Sequence, residues 1–158
     1  MTRILFVCLG NICRSPTAEG VFRGLCEREG VSERLYVDSA GTGAWHVGKA
    51  PDRRAQAAAR ARGVDLSRQR ARQVNAEDFP RFHYLLAMDG DNLRALRGMC
   101  PPGYHSRLQL FLDFAEDTDI REVPDPYYGG DEGFDQVLNL VESASLGLLQ
   151  HLRRSGAL

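Results

Sequence analysis

A thiol, a guanidinium and a hydroxyl stand close together near the start of the chain, in the run Val7-Cys8-Leu9-Gly10-Asn11-Ile12-Cys13-Arg14-Ser15-Pro16. The run follows an apolar stretch, Ile4-Leu5-Phe6-Val7, and leads into an apolar-periodic segment opened by Pro16, so it occupies a strand-to-helix turn. The N–H groups at such a helix start converge on whatever lies in front of it and favour an anion. Gly10 permits close approach, and Arg14 offers a planar fork that binds two oxygens of one oxyanion. A cysteine attacks as its thiolate, which an ordinary thiol, ionising near pH ~8.5, forms sparingly at neutrality. The helix N-terminus, Arg14 and the Ser15 hydroxyl supply the electropositive setting that a thiolate needs. The chemistry implied is a phosphate site with a nucleophile in it. Taken singly, Cys8 also reads as a small apolar residue ending a buried strand. Arg14 also reads as a surface arginine, but its charge would then oppose the helix dipole, and that cost makes an anion partner the better explanation.

A second cluster, Asp125-Pro126-Tyr127-Tyr128, lies late in the chain. A carboxylic acid held over the phosphate can protonate a departing oxygen and then take a proton from the hydrolytic water, a contribution typically worth about a hundred- to ten-thousand-fold. Asp-Pro with Gly129-Gly130 nearby is also ordinary turn chemistry, and from the motif alone the two readings balance.

In this order and at these separations, Cys8-x5-Arg14-Ser15, Asp38-Ser39-Ala40-Gly41-Thr42-Gly43-Ala44-Trp45 and Asp125-Pro126-Tyr127-Tyr128 resemble the low-molecular-weight protein tyrosine phosphatases, over essentially the whole chain. The resemblance implies hydrolysis of phosphotyrosine through a cysteinyl-phosphate, with Cys8 as nucleophile, Arg14 as phosphate clamp and Asp125 as general acid and base. It implies that Leu9, Gly10, Asn11, Ile12, Cys13 and Ser15 form the phosphate-binding loop. In relatives the matching Asn is left-handed and bonds to a serine that corresponds to Ser39, a conformation Asn tolerates better than most residues. Asp89 matches a carboxylate that helps fix the loop, and it also reads as a plain helix cap.

Ile12, Trp45, Tyr127 and Tyr128 are the expected pocket walls, flat enough to admit a phenyl phosphate and to hold phosphoserine above Cys8. Phosphoarginine phosphatases of the family are similar but carry threonine where Ile12 stands and lack the tyrosine pair. Cys13 matches a cysteine that in some relatives bonds reversibly to the nucleophile under peroxide. Cys26 and Cys100 read as structural. The arginine-rich stretch from Arg53 to Arg72 reads as a solvated helix face, with docking of an acidic substrate tail as the alternative.

The elements that must position these residues follow from periodicity. Strands are expected at the start, over Leu35–Ser39, over His83–Met88 and over Leu108–Phe111. Helices are expected over Pro16–Glu29 with Ser15 as cap, over Pro51–Gly63, from Asp89 to Gly98, and from Asp131 onward, burying Phe134, Val137, Leu138, Val141, Leu148, Leu149 and Leu152. Between Leu66 and Phe82 the pattern is broken, with Ser67 and Asn75 as expected caps of short turns. Alternating strands and helices make an α/β fold: a single-domain, four-stranded parallel sheet of order 2-1-3-4, flavodoxin-like and flanked by helices. Ligands of such sheets bind beyond the carboxyl ends of the strands, where the turn after the first strand lies.

The 158 residues, 43% hydrophobic, suit one domain spanning 1–158. A net charge of −1 argues against wholesale attraction to nucleic acid or membrane. Met1-Thr2-Arg3 shows no cleavable signal and no apolar run approaches the ~18 residues of a spanning helix, so a cytoplasmic protein is expected. Four cysteines without a Cys-x2-Cys pair and four scattered histidines give no legible zinc set, and neither metal nor other cofactor is expected. The expected partner is a phosphotyrosine protein, a tyrosine autokinase among the candidates, met by a monomer. Rival readings are a phosphoarginine phosphatase, a non-catalytic phosphopeptide-binding module, and the arsenate reductase that shares this loop. The reductase uses further cysteines late in its chain, whereas Cys100 has no spaced partner here.

Overall fold

A strand covered on both faces reads as an unbroken apolar run, and Ile4, Leu5, Phe6 and Val7 have no exposed surface. In the computed structural model, which describes residues 1–158, they belong to β1 (Thr2–Cys8), the strand on which the sheet is built. β2 (Leu35–Gly41) pairs with one edge of β1 and β3 (Tyr84–Ala87) with the other; β4 (Leu108–Leu110) lies beyond β3. All pairs are parallel and the order is β2-β1-β3-β4, as expected from the sequence.

Alternation along β1 divides the core. Ile4, Phe6 and Cys8 face α1 (Arg14–Arg28) and α5 (Glu132–Arg154), where Phe22, Leu25, Val137, Val141 and Leu148 meet them. Leu5 and Val7 face the other way, toward Phe79 on α3 (Asp78–Arg81), Phe82, and Leu96 on α4 (Gly90–Met99). The apolar stripe of α5 lies where its period puts it: Phe134, Val137, Leu138, Val141, Leu148, Leu149 and Leu152 are all buried. α2 (Arg53–Arg60) packs Ala55 and Ala59 against Ile12, Cys13, Leu66, Ala71 and Phe134, so it leans on the turn after β1 rather than on the sheet. No helix is long and apolar enough to cross a membrane.

Element ends depart from the sequence reading for identifiable reasons. α1 starts at Arg14 and Ser15 does not cap it, because the Ser15 hydroxyl is engaged by Cys8 and Asn11. α2 starts after Pro51, where the Asp52 carboxylate accepts the Arg54 N–H. It stops short of Gly63, whose φ of 81° turns the chain. α4 runs through Gly98 and ends before Pro101, which cannot continue a helix. β2 reaches Gly41 because it stays paired with β1 up to Cys8. β4 stops at Leu110, since residues 111–114 wind into a 3₁₀ turn. Asn75 accepts from the Glu77 N–H as expected, whereas Ser67 is itself held by Asp65.

Candidate active site

Parallel strands end on one edge, and that edge gathers the chemistry. Cys8 is the last residue of β1, Asp89 follows β3, and the turn of residues 9–13 rises into α1. Asn11 takes φ of 59° in this turn, a conformation open to Asn. Its amide is fixed from both ends. Oδ1 accepts the Arg72 N–H at 3.0 Å, while Nδ2 donates to Ser15 Oγ at 2.8 Å and to Ser39 Oγ at 2.9 Å. Ser15 Oγ receives that bond and has one proton of its own to give, for which Cys8 Sγ at 3.0 Å is a nearer partner than the Ala40 carbonyl at 3.5 Å. The Asn11 N–H donates to the same sulfur at 3.3 Å. Both donors favour negative charge on the sulfur.

The N–H groups of Leu9, Gly10, Ile12 and Cys13 have no acceptor within the chain. They surround Cys8 at the start of α1, an arrangement that binds oxyanions. A Cβ at Gly10 would stand 2.9 Å from Cδ2 of His46, so any larger residue there would push that ring aside.

Arg14 is buried, and its fork is braced from behind. Nη1 donates to Asp89 Oδ2 at 2.6 Å and to the Val123 carbonyl at 3.0 Å. Burial works against its charge, but Cys8, Asp89 and Asp125 outweigh that and raise its pKa. Nη2 lies 3.6 Å from Asp125 Oδ2, while Asp125 Oδ1 accepts the Tyr127 N–H at 3.1 Å. Thiol, guanidinium and carboxyl therefore border one cavity of about 410 Å³. Ile12 and Cys13 line its base, and Trp45, His46, Tyr127 and Tyr128 form its walls. Trp45 and Tyr128 are largely exposed, so the walls stand up around an open mouth.

Of the residues singled out from sequence, Cys8, Arg14, Asp125, the loop residues Leu9, Gly10, Ile12 and Cys13, and the aromatic set all border this cavity. Asn11, Ser15 and Ser39 stand behind it in the hydrogen-bond network, and Asp89 stands behind Arg14. Burial pushes the Cys13 thiol up, and Asp52, Cys8 and Asp125 add to the effect. Burial likewise pushes Cys26 up to about 12. His46 is a wall residue that the sequence reading passed over. Glu19 was also missed: it is buried on α1 and accepts from Ser39 Oγ at 2.7 Å. No group of three or more metal-ligating side chains occurs.

The model of the family described as low molecular weight phosphotyrosine protein phosphatase matches residues 3–158. A low molecular weight protein-tyrosine-phosphatase of Bacillus subtilis is 41% identical over 154 residues, covering 98% of this chain and 97% of that one. A crystal structure of a protein tyrosine phosphatase from Entamoeba histolytica, with Hepes in its active site, superposes with a TM-score of 0.96 at 38% identity and covers 99% of each chain. A Drosophila arginine phosphatase superposes with a TM-score of 0.88 at 33% identity, over 96% of this chain and 97% of that one.

Proposed function

The chain belongs to the low-molecular-weight phosphotyrosine protein phosphatases, enzymes that hydrolyse phosphoric monoesters, and from that premise we propose how its residues divide the work on a phosphotyrosine protein. The phosphate enters the cradle of free N–H groups, and Arg14 holds its equatorial oxygens. Cys8 Sγ attacks phosphorus in line as the bond to the tyrosyl oxygen breaks. Asp125 gives its proton to that oxygen, and tyrosine leaves. Asp125 then takes a proton from water as it attacks the phosphocysteine, releasing phosphate and returning the thiolate. Ser15 and Asn11 hold the sulfur, and Asp89 holds Arg14. The observation that carries this reading is the convergence of Cys8, Arg14 and Asp125 on one cavity walled by aromatic rings. A tyrosine autokinase is one candidate substrate, and the enzyme works as a monomer in the cytoplasm.

The test is phosphate release from a phosphotyrosine peptide and from phosphoarginine, with reductant and a chelator present. Release from the peptide is expected to be the faster, and Cys8→Ser is expected to abolish it while still binding inorganic phosphate. Preference for phosphoarginine would overturn the substrate assignment, and substantial activity in Cys8→Ser would overturn the covalent route.

Cys13 has a separate role in this reading. Peroxide converts Cys8 to a sulfenic acid, and attack by Cys13 sulfur forms a disulfide and releases water. Reductant should then restore activity to the wild type but not to Cys13→Ala. Equal recovery of both would remove the role.

A further inference from the structure

The segment that carries Asp125 has few ties of its own. Residues 115–131 contain no helix or strand. Its last backbone bond to the sheet side is from the Val123 N–H to the Met88 carbonyl. From Pro124 to Gly129 the backbone bonds only to itself, through the Asp125 carboxylate and the Pro126 carbonyl, with one exception. Arg54 reaches across from α2, where Nη2 donates to the Tyr127 carbonyl at 2.8 Å and Nη1 to the Gly129 carbonyl at 3.4 Å.

The same guanidinium is anchored behind. Nε and Nη2 donate to the Asp52 carboxylate at 3.2 and 3.1 Å, and the ring of Phe134 lies 4.7 Å beneath it. Burial would raise the Asp52 pKa, but the bonds from Arg54 outweigh it, so the carboxylate stays charged. Asp52 in turn donates its backbone N–H to the Ile12 carbonyl at 2.8 Å. A continuous path therefore runs from the phosphate-binding turn through Ile12, Asp52 and Arg54 to Tyr127 and Gly129, two and four residues after Asp125.

We propose that Arg54 is a positioning residue that fixes Asp125 relative to Cys8 by tying the acid loop to the phosphate-binding turn. The inference rests on Asp125 being the proton donor. A lysine cannot replace it, because a single ammonium group lacks the fork that serves two carbonyls and a carboxylate together. Misplacement of a reacting group by about 1 Å costs on the order of a hundred-fold in rate, so a loosened acid loop should lose much of the benefit of the acid.

The experiment is a double-mutant cycle on Arg54 and Asp125, read with two aryl phosphates, one whose leaving group needs a proton and one whose leaving group is stable as an anion. Arg54→Ala is expected to lower kcat/KM, which reports phosphoryl transfer to Cys8, by roughly ten- to a hundred-fold on the first ester and to spare kcat/KM on the second, whose leaving group needs no proton. Arg54→Lys should recover little. In the Asp125→Ala background, Arg54→Ala should cost nothing more. Equal loss on both esters, or a full further loss in the Asp125→Ala background, would overturn the coupling. An Asp125→Ala variant without leaving-group preference would instead overturn the acid assignment and the coupling with it. Arg54 is a half-exposed surface side chain, and unchanged thermal midpoints would verify that the variants fold.

Discussion

On Asp89 the two carboxylate oxygens are committed to different partners. Oδ1 accepts the Asn92 N–H at the start of α4, within a capping box, and Oδ2 takes Arg14. The two jobs can be separated. Asparagine caps a helix about as well as aspartate but carries no charge. Asp89→Asn should therefore keep the cap and lose only what the ion pair with buried Arg14 contributes to stability, while kcat/KM falls about ten- to a hundred-fold as that charge-assisted bond is lost. Asp89→Ala should lose the cap as well, adding about 1 kcal/mol of destabilisation. Urea unfolding and initial rates on the three proteins measure this, and an equal loss of stability in both variants would contradict the division. The capping half was legible, because Asp before a helical pattern is a helix-start signal. The other half spans 75 residues of sequence, and only resemblance to a family pointed there. His46 and Arg54 were illegible for a different reason. A lone histidine in a glycine-rich loop and one arginine among many carry no periodic mark of what they face.

Between elements, the tie from α1 to β2 runs through a buried carboxylate. Glu19 accepts from Ser39 on β2 and pairs with Arg23 one turn along α1, at 3.1 Å. Burial raises its pKa, and Arg23 and Ser39 offset this only in part. The sign follows from linkage. Between the ordinary glutamate value of about 4.3 and its raised folded value, the folded chain holds more protons than the unfolded one, so stability from this group falls as pH climbs. Above the folded value the contribution levels off. Glu19→Gln keeps an acceptor for Ser39 and cannot titrate, so the stability of the variant relative to wild type should rise between pH 4.5 and neutrality. Urea midpoints of the two proteins across that range test it, and a constant difference would refute it. Glu19 has the spacing of a polar position on an amphipathic helix, so nothing in the sequence marks it as buried. What spacing cannot show is that β2 continues to Gly41 and covers it. The unbroken run Ile4–Val7 and the seven-position apolar stripe of α5 were legible, because burial on both faces and a 3.6 period each leave a mark in composition. Helix starts were less so, since Pro51 and Ser15 are each consistent with more than one position near a cap.

For the molecule as a whole, parallel pairing is what turns distant sequence into one site. Residues 8–15, Asp89 and Asp125 meet because the strands all end at one edge, and the loops that leave that edge have nowhere else to go. The aromatic walls arise from one further loop, after β2, and from the loop before α5 that also carries Asp125, so the mouth is built from parts of the chain that fold onto opposite flanks of β1. One wall has a use apart from recognition. Trp45 is the sole tryptophan, borders the cavity and is 69% exposed, so emission excited at the long-wavelength edge, where tyrosine does not absorb, comes from a single indole at the mouth of the site. Adding an aryl phosphonate should change the intensity or colour of that emission in a saturable way, and Arg14→Met should abolish the response. A wild-type spectrum unmoved by a phosphonate that inhibits turnover would place Trp45 away from bound ligand. With the response in hand, occupancy of the site becomes visible without label or turnover, and the arrival and departure of ligands can be timed in a stopped-flow cell.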